Sequence, residues 1–216
     1  MGLLNRISTR RADLEHLQAP VSVAVSDPVF ATKALKKFLT TLTSRSSPIL
    51  LDLGPVVGSN VAFFGEQLGC KIFVEDLFAD LDRHVRDGKL DALPAFLQKR
   101  FKQLAGTVDG ILCWDLVDYL DKNAAQALAA ELTRLLRPDG ALLGFFGTAQ
   151  PRDTRYTKFI IVDDVNLRHR PYQAARGRQA ALLNRDIIRL FAGLRVSDSF
   201  LLQNNLREIL FRKPAT

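Results

Sequence analysis

The clearest chemistry in the sequence sits on two carboxylates and two glycines. An apolar run, Ile49 to Leu53, leads into Asp52-Leu53-Gly54-Pro55-Val56-Val57-Gly58-Ser59-Asn60, and Glu75 stands 21 residues after Gly54. A glycine just past a strand permits a tight turn where a side chain would block a ligand. A second glycine where a helix begins lets the backbone approach that ligand closely. A glutamate ending the next strand can accept two hydrogen bonds from a ribose diol. The pattern predicts a nucleoside site. The dinucleotide fingerprint counted from Gly54 needs glycines at 56 and 59, and the chain has Val56 and Ser59 there. A pyrophosphate would be crowded beside Val56, whereas a ligand without phosphate tolerates it.

A second group lies further along. Asp115, Asp118 and Tyr119 follow the apolar run Val108 to Trp114. A carboxylate there is a candidate proton acceptor, although helix capping explains such residues equally well and is preferred for Asp121. The least ordinary segment runs from Gln150 to Asn184. It carries Arg152, Arg155, Lys158, Arg168, Arg170, Arg176 and Arg178 against Asp153, Asp163 and Asp164. Tyr156 to Val162 and Asn166 to Tyr172 pattern as a hairpin, which reads as a substrate lid or an interaction surface. Its guanidinium groups suit phosphate or carboxylate, and His169 is a candidate base. Cys70 and Cys113 sit among apolar residues as small core side chains. No Cys/His spacing resembles a metal site.

These residues need elements to hold them. Asp27-Pro28 reads as a helix start, with Phe30, Ala34, Phe38 and Leu42 on one face. Strands are expected at Ile49–Leu53, Lys71–Glu75, Val108–Trp114 and Ala141–Phe146. Helices are expected at Ser59–Leu68, closed by Gly69, at Leu77–Arg86, from Pro94 to about Leu104, from an Asn123 cap to Leu136, and from an Asn184 cap to Gly193. Pro138-Asp139-Gly140 reads as a turn. No strand pattern appears between Arg86 and Thr107. Two strands, Arg195–Leu202 and Leu206–Arg212, close the chain around Asn204-Asn205 and must be antiparallel. The expectation is an α/β fold: an open, mainly parallel sheet with helices on both faces and a C-terminal antiparallel hairpin. Residues 1–44 form an N-terminal arm and helix, and residues 45–213 the main domain, with a basic hairpin insertion around 150–180.

In this order the motifs resemble those of the class I, Rossmann-like S-adenosylmethionine (SAM) methyltransferases. Leu51 to Asp76 is similar to the family's first motif. Val108-Asp109-Gly110-Ile111-Leu112-Cys113-Trp114-Asp115 resembles its fourth-strand motif, and Leu135-Leu136-Arg137-Pro138-Asp139-Gly140-Ala141 resembles the turn before its fifth strand. The resemblance covers residues 45–150 and 184–213. It implies SAM as cofactor. Asp52, Gly54 and Gly58 would line its methionine end, Glu75 would hold the ribose, and Asp76 with Leu77 would flank the adenosine. Cys113, Trp114 and Asp115 would sit under the sulfonium. Asp115 and Tyr119, with Arg168 and Arg170 of the hairpin, would face the acceptor, and Asp115 or His169 would serve as base. The family often places an adenine-binding carboxylate on its third strand, where this chain offers only Asp91.

Composition narrows the class. A chain of 216 residues that is 47% hydrophobic and 25% charged suits one globular domain. No apolar run reaches the roughly 20 residues that span a bilayer. Met1 to Arg11 lacks the apolar centre of a signal peptide, and Arg6 stands where myristoylation wants Ser or Thr. A cytoplasmic protein is expected. The formal charge of +7 suits an acidic partner, or serves solubility alone. A small, anionic acceptor is preferred over nucleic acid, because aromatics for base stacking are few in the basic segment. The competing reading is a catalytically silent domain of the same fold that binds a protein or RNA partner through the hairpin. An NAD-dependent reductase is disfavoured by the glycine count.

Overall fold

The computed structural model describes residues 27–149, 154–179 and 181–215. The basic segment 1–20, together with Arg152 and Asp153, lies outside them.

Six strands form the main sheet: β2 (Ile49–Asp52), β3 (Lys71–Val74), β4 (Val108–Trp114), β5 (Leu136–Gly147), β8 (Arg195–Leu201) and β9 (Leu206–Arg212). Their order is β3-β2-β4-β5-β9-β8. The first four are parallel, β9 runs antiparallel to β5, and β8 antiparallel to β9. The sequence expectation of a parallel sheet closed by an antiparallel hairpin is met. Strand order reverses between β2 and β4, and their carboxyl ends therefore flank the crevice where such sheets take ligands.

Every residue of β4 is buried, as expected for a central strand covered on both faces. One face packs on α3 (Leu77–Arg86), α4 (Leu93–Arg100), α5 (Lys122–Leu135) and α6 (Asn184–Leu190). The other face packs on α1 (Leu35–Thr43) and on the short helix α2 (Gly58–Ala62), which continues into a π-turn at Phe63–Gln67. Gly69 and Gly88 end their helices at φ 64° each, the left-handed conformation that favours glycine at a helix end.

A second, three-stranded sheet lies over the carboxyl rim. The expected basic hairpin is present as β6 (Arg155–Ile161) and β7 (Asn166–Gln173). A third strand, β1 (Val29–Ala31), joins it antiparallel to β7. The helix expected to start at Asp27-Pro28 instead starts at Leu35. Pairing with β7 outweighs the local helix signal: His169 N donates to Pro28 O (2.9 Å) and Thr32 N to Val165 O (2.8 Å). Glu208 of β9, fully buried, anchors this segment by accepting from the Thr32 hydroxyl and from Lys33 N (2.7 Å). Residues 27–44 thus pack directly on the main sheet.

Smaller boundaries also differ. Asp121, not Asn123, caps α5 by accepting from Ala124 N (2.9 Å). Helix α6 has no side-chain cap and stops at Leu190, and α4 stops at Arg100. The Pro138-Asp139-Gly140 turn is a bulge inside β5, with Asp139 at φ 61°. Between Arg86 and Thr107 the described chain forms a 3₁₀ turn and α4 without a strand, so β3 is the edge of the sheet.

A Cβ built on Gly110 of β4 would lie 2.7 Å from Leu42 Cδ2 and 2.9 Å from Phe38 Cζ. Gly110→Ala is expected to lower unfolding free energy by about 1–3 kcal/mol through overpacking, read from urea denaturation. An unchanged midpoint would show that α1 does not press on the sheet.

Candidate active site

The crevice is built from the ends of β2, β3 and β4. Asp52 ends β2, and Glu75 follows β3 directly beside it, its N–H donating to Asp52 O (2.8 Å). Trp114 ends β4 at φ 49°, which turns its indole across Gly54. Trp114 Nε1 and Gly54 N both donate to Asp52 Oδ1, at 2.6 and 2.9 Å. Among the described residues no hydrogen bond reaches Asp52 Oδ2. A Cβ on Gly54 would lie 2.8 Å from the indole, so the glycine is required by this contact. Burial pushes the Asp52 carboxyl up to about 6, against the two donors, which pull it down.

Gly58 opens α2. A Cβ there would meet no protein atom within 4 Å, and Val56 beside it is 65% exposed. This side of the crevice is therefore open. Asp76, at φ 26°, caps α3 through Ala79 N (3.1 Å). Leu77 and Cys113 are buried in the core. Burial raises the Cys113 thiol pKa, and only its backbone can face the crevice.

Glu75 is already held. Arg100 Nη1 donates to its Oε2 (2.5 Å), Arg100 Nη2 to its carbonyl (3.0 Å) and Gln103 Nε2 to its Oε1 (3.1 Å). Arg100 also binds Asp80 Oδ2 (2.7 Å). Burial opposes the Arg100 charge, but Asp80 and Glu75 together raise its pKa. No sequence pattern marks Arg100 or Gln103. They come from the segment that stands in place of a further strand, in which Asp91 is exposed.

On the acceptor side, Asp115 and Asp118 are buried and share one partner. Arg178 Nη2 donates to Asp115 Oδ2 (2.5 Å), and Nη1 lies 3.5 Å from Asp118 Oδ2. Arg178 Nε donates to the Tyr119 hydroxyl (3.1 Å), which donates to Arg155 O (2.8 Å). Asp118 Oδ2 also accepts from Gly147 N (2.7 Å). Burial raises both carboxyls, Asp118 to about 7, while Arg178 pulls them down. Arg178 counts among the basic residues of the sequence, but nothing in its spacing marks it as the partner of Asp115.

The hairpin brings an aromatic stack to this rim. Phe159 lies parallel to Trp114 (5.1 Å, 3°) and to Phe145 (5.0 Å, 11°). His169 packs on Phe159 and on Phe30, both at 4.7 Å. Burial, then the Arg178 charge, lowers His169 to about 4, which leaves it neutral at pH 7. Asn60 of α2 fastens β6 in place: its Nδ2 donates to Phe159 O (2.8 Å) and its Oδ1 accepts from Ile161 N (2.9 Å). Alternation along β7 puts Arg168 and Arg170 on the opposite face from His169, and Arg170 pairs with Asp27 (2.6 Å). The structure does not bring these two arginines to the pocket that His169 lines.

That pocket, of about 290 Å³, is lined by Phe30, Arg155, Thr157, His169, Pro171, Arg178, Asn204 and Leu206. A larger groove of about 940 Å³ lies between α5 and α6 and includes none of the expected site residues. Among the described residues no group of His, Cys, Asp or Glu could hold a metal ion, and no helix is long and apolar enough to cross a membrane.

Solved structures with this architecture include a Burkholderia thailandensis 1,6-didemethyltoxoflavin N1-methyltransferase with bound 1,6-didemethyltoxoflavin and S-adenosylhomocysteine. It is 18% identical, with a TM-score of 0.50 over 84% of this chain and 78% of that one. The chain has the class I SAM methyltransferase fold. A Pyrococcus horikoshii OT3 protein (16% identity, TM-score 0.52, 83% of this chain and 88% of that one) shares this fold. So does the 4+2 cyclase SpnF (12% identity, TM-score 0.51, 89% and 88%). No family model matches the sequence, and a search of curated proteins finds no match. In this fold the carboxyl ends of β2 and β4 carry Asp52 and Trp114, with Gly54 and Glu75 just beyond β2 and β3.

Two outcomes follow. Asp118 ionises near 4 in an unfolded chain and at about 7 here. Between those values the folded protein keeps a proton that the unfolded chain has lost, so this contribution to stability falls as pH rises. The slope approaches about 1.4 kcal/mol per pH unit at most. Urea unfolding at several pH values in that window should show a shallower decline for Asp118→Asn; equal slopes would mean that Asp118 is ionised throughout. Trp114 is the sole tryptophan, and Gly54→Ala should push its indole off Asp52 and red-shift its emission. An unshifted spectrum would show that the indole does not lie against Gly54.

Proposed function

We propose that the protein is a SAM-dependent methyltransferase acting on a small molecule. The observation that carries this reading is the pair of rim carboxylates, Asp52 and Glu75, joined backbone to backbone around Gly54 at the switch point of the sheet. Asp52 Oδ2 suits an ammonium group such as the one on the methionine end of SAM, and the spare lone pairs of Glu75 suit ribose hydroxyls. Gly58 and Val56 leave the open side on which that ligand would lie. When bound, SAM supplies an electrophilic methyl group on a sulfonium. The chain's own contribution is then alignment, which can supply much of the rate in such a transfer. Neutral His169 can accept a hydrogen bond from the acceptor, and its lowered pKa makes it a weak proton acceptor. Asp115 and Tyr119 position Arg178 at the rim; with its carboxylate on Arg178, Asp115 serves poorly as a base.

A second reading is favoured by one observation. The groups assigned to SAM already have internal partners: Trp114 on Asp52, and Arg100 with Gln103 on Glu75. On that reading the fold is retained without catalysis and the hairpin carries a binding role.

Isothermal titration with SAM and S-adenosylhomocysteine separates the two. Binding that weakens about tenfold (about 1.4 kcal/mol) in Glu75→Ala is the expected outcome. A well-folded protein that binds neither ligand would overturn the methyltransferase reading and leave the silent one.

A further inference from the structure

The second sheet meets the crevice along one of its edges. His169 N of β7 donates to Pro28 O beside β1, and by alternation Arg168, Arg170 and Tyr172 exchange bonds with β6. Their partners there are Ile160, Lys158 and Tyr156. The backbone groups of Arg155, Thr157, Phe159 and Ile161 therefore point the other way, out of the edge of the β1-β7-β6 sheet. Pro171, which has no N–H, sits opposite Thr157 at a pair that exchanges no bond.

Two side chains clamp this edge. Asn60 holds Phe159 O (2.8 Å) and Ile161 N (2.9 Å), and the Tyr119 hydroxyl donates to Arg155 O (2.8 Å). Asn60 follows β2 and Tyr119 follows β4, so the clamped stretch crosses the crevice. Phe159 stacks on Trp114 at the same place. Between the clamps three backbone groups are left over: Thr157 N–H, Thr157 C=O and Phe159 N–H. Among the described residues no hydrogen bond reaches them. An open strand edge pairs with amides through such groups.

The surroundings set the kind of amide. The pocket of about 290 Å³ is lined by Thr157 and Arg178 as well as Phe30, His169 and Pro171. Arg178 reaches the edge of β6 through Tyr119, whereas His169 packs on Phe159 of its face, so the pocket wraps round the edge at Thr157. At roughly 30 Å³ per water in the liquid, it holds on the order of ten non-hydrogen atoms. Its charges are already answered: Arg178 lies on Asp115 and Asp118, and Arg155 is engaged too. His169 is neutral. An uncharged occupant fits such a lining. The free stretch of edge is about 7 Å long at the usual rise per residue. An extended peptide would run past it into both clamps, and a trans amide sets its C=O and N–H on opposite sides. A lactam or imide ring sets them side by side within that length.

We propose that the edge at Thr157 and Phe159 is the acceptor subsite and that it takes an uncharged, planar lactam or imide ring. The ring N–H donates to Thr157 O, and its carbonyl groups accept from Thr157 N and Phe159 N. The assignment as acceptor subsite rests on the methyltransferase reading. The ligand class rests on the edge and its clamps.

The test uses the full chain with uracil, 1,3-dimethyluracil, which has no ring N–H, and benzoate, followed by calorimetry and amide NMR. Uracil is expected to bind at least about tenfold more tightly than either of the others and to shift the Thr157 and Phe159 amide signals. Thr157→Pro removes an N–H that faces out of the edge, where proline is tolerated, and should weaken uracil about tenfold. Thr157→Val keeps that N–H and should bind uracil as the unaltered protein does. No uracil binding, equal binding of 1,3-dimethyluracil, a preference for benzoate, or unmoved Thr157 and Phe159 signals would overturn the proposal. The amide shifts decide it on the unaltered protein if Thr157→Pro fails to fold. Titration with S-adenosylhomocysteine in the same samples keeps the two readings apart. Uracil binding without it would sink the cofactor assignment and keep the ligand class; the reverse would sink the edge site and keep the cofactor.

Discussion

Two aspartates at the end of one strand are out of water, and a single guanidinium lies between them. Asp115 is 0% exposed and Asp118 6%, and each would be costly to bury alone. Arg178 answers both, and removing one partner from such a group costs about 3–5 kcal/mol because the other charge stays buried. The geometry of the rim follows from this requirement. Arg178 comes from the segment after the hairpin, so satisfying Asp115 draws that segment down onto β4. Gln179 N then donates to Asp118 O (2.6 Å). The second sheet is held over the crevice at one end by Arg178, at the middle by Asn60, and at the far end by Glu208.

With the hairpin fixed, the aromatic stack has one arrangement available. Phe159 must lie over Trp114, and Trp114, in the left-handed conformation, must lie over Gly54. The stack explains why a glycine is needed at position 54 in this chain, whatever ligand the crevice takes. It also sets the environment of Asp52, whose raised pKa comes from burial beneath the indole. On the other flank the sheet ends at β3, and an edge strand with a carboxylate at its tip would leave Glu75 solvated and loose. Arg100 and Gln103 take over the task of fixing it. Arg100 binds Glu75 through both a side-chain and a backbone oxygen, and Asp80 holds the guanidinium from behind. A helix end and two long side chains thus do locally what a neighbouring strand would do through its ladder.

This division explains what could be read from the sequence. The six main strands were legible because period and turn chemistry report burial directly: the run Val108–Trp114 is apolar on both faces, and Asn204-Asn205 punctuates the last pair. Gly54 and Glu75 were legible because their spacing is local to one strand-helix-strand unit. The lack of a strand between Arg86 and Thr107 was legible for the same reason. Long-range pairings were not. Val29–Ala31 reads as helix because Asp27-Pro28 is a good local start, and only the distant β7 makes it a strand. Arg178 meets Asp115 across 63 residues and Arg100 meets Glu75 across 25, and no local pattern distinguishes these arginines from others nearby. Charge alone points Arg168 and Arg170 toward an acceptor, whereas strand alternation puts them on the opposite face of β7 from His169.

Both halves of the rim balance their charges internally. The β2–β3 side presents Asp52, Glu75 and Asp76; on the hairpin side the Arg178 charge is met by Asp115 and Asp118 beside a neutral imidazole. Under the proposed function the cationic sulfonium of SAM suits the first side, where Asp52 and Glu75 lie. Between the two sides Trp114 and Phe159 lie parallel and His169 meets Phe159 edge to face, which keeps water from the middle of the rim. The fold thus fixes both flanks of the rim with internal ion pairs, Arg100 on Glu75 and Arg178 on Asp115, on either side of the point where the order of the sheet reverses.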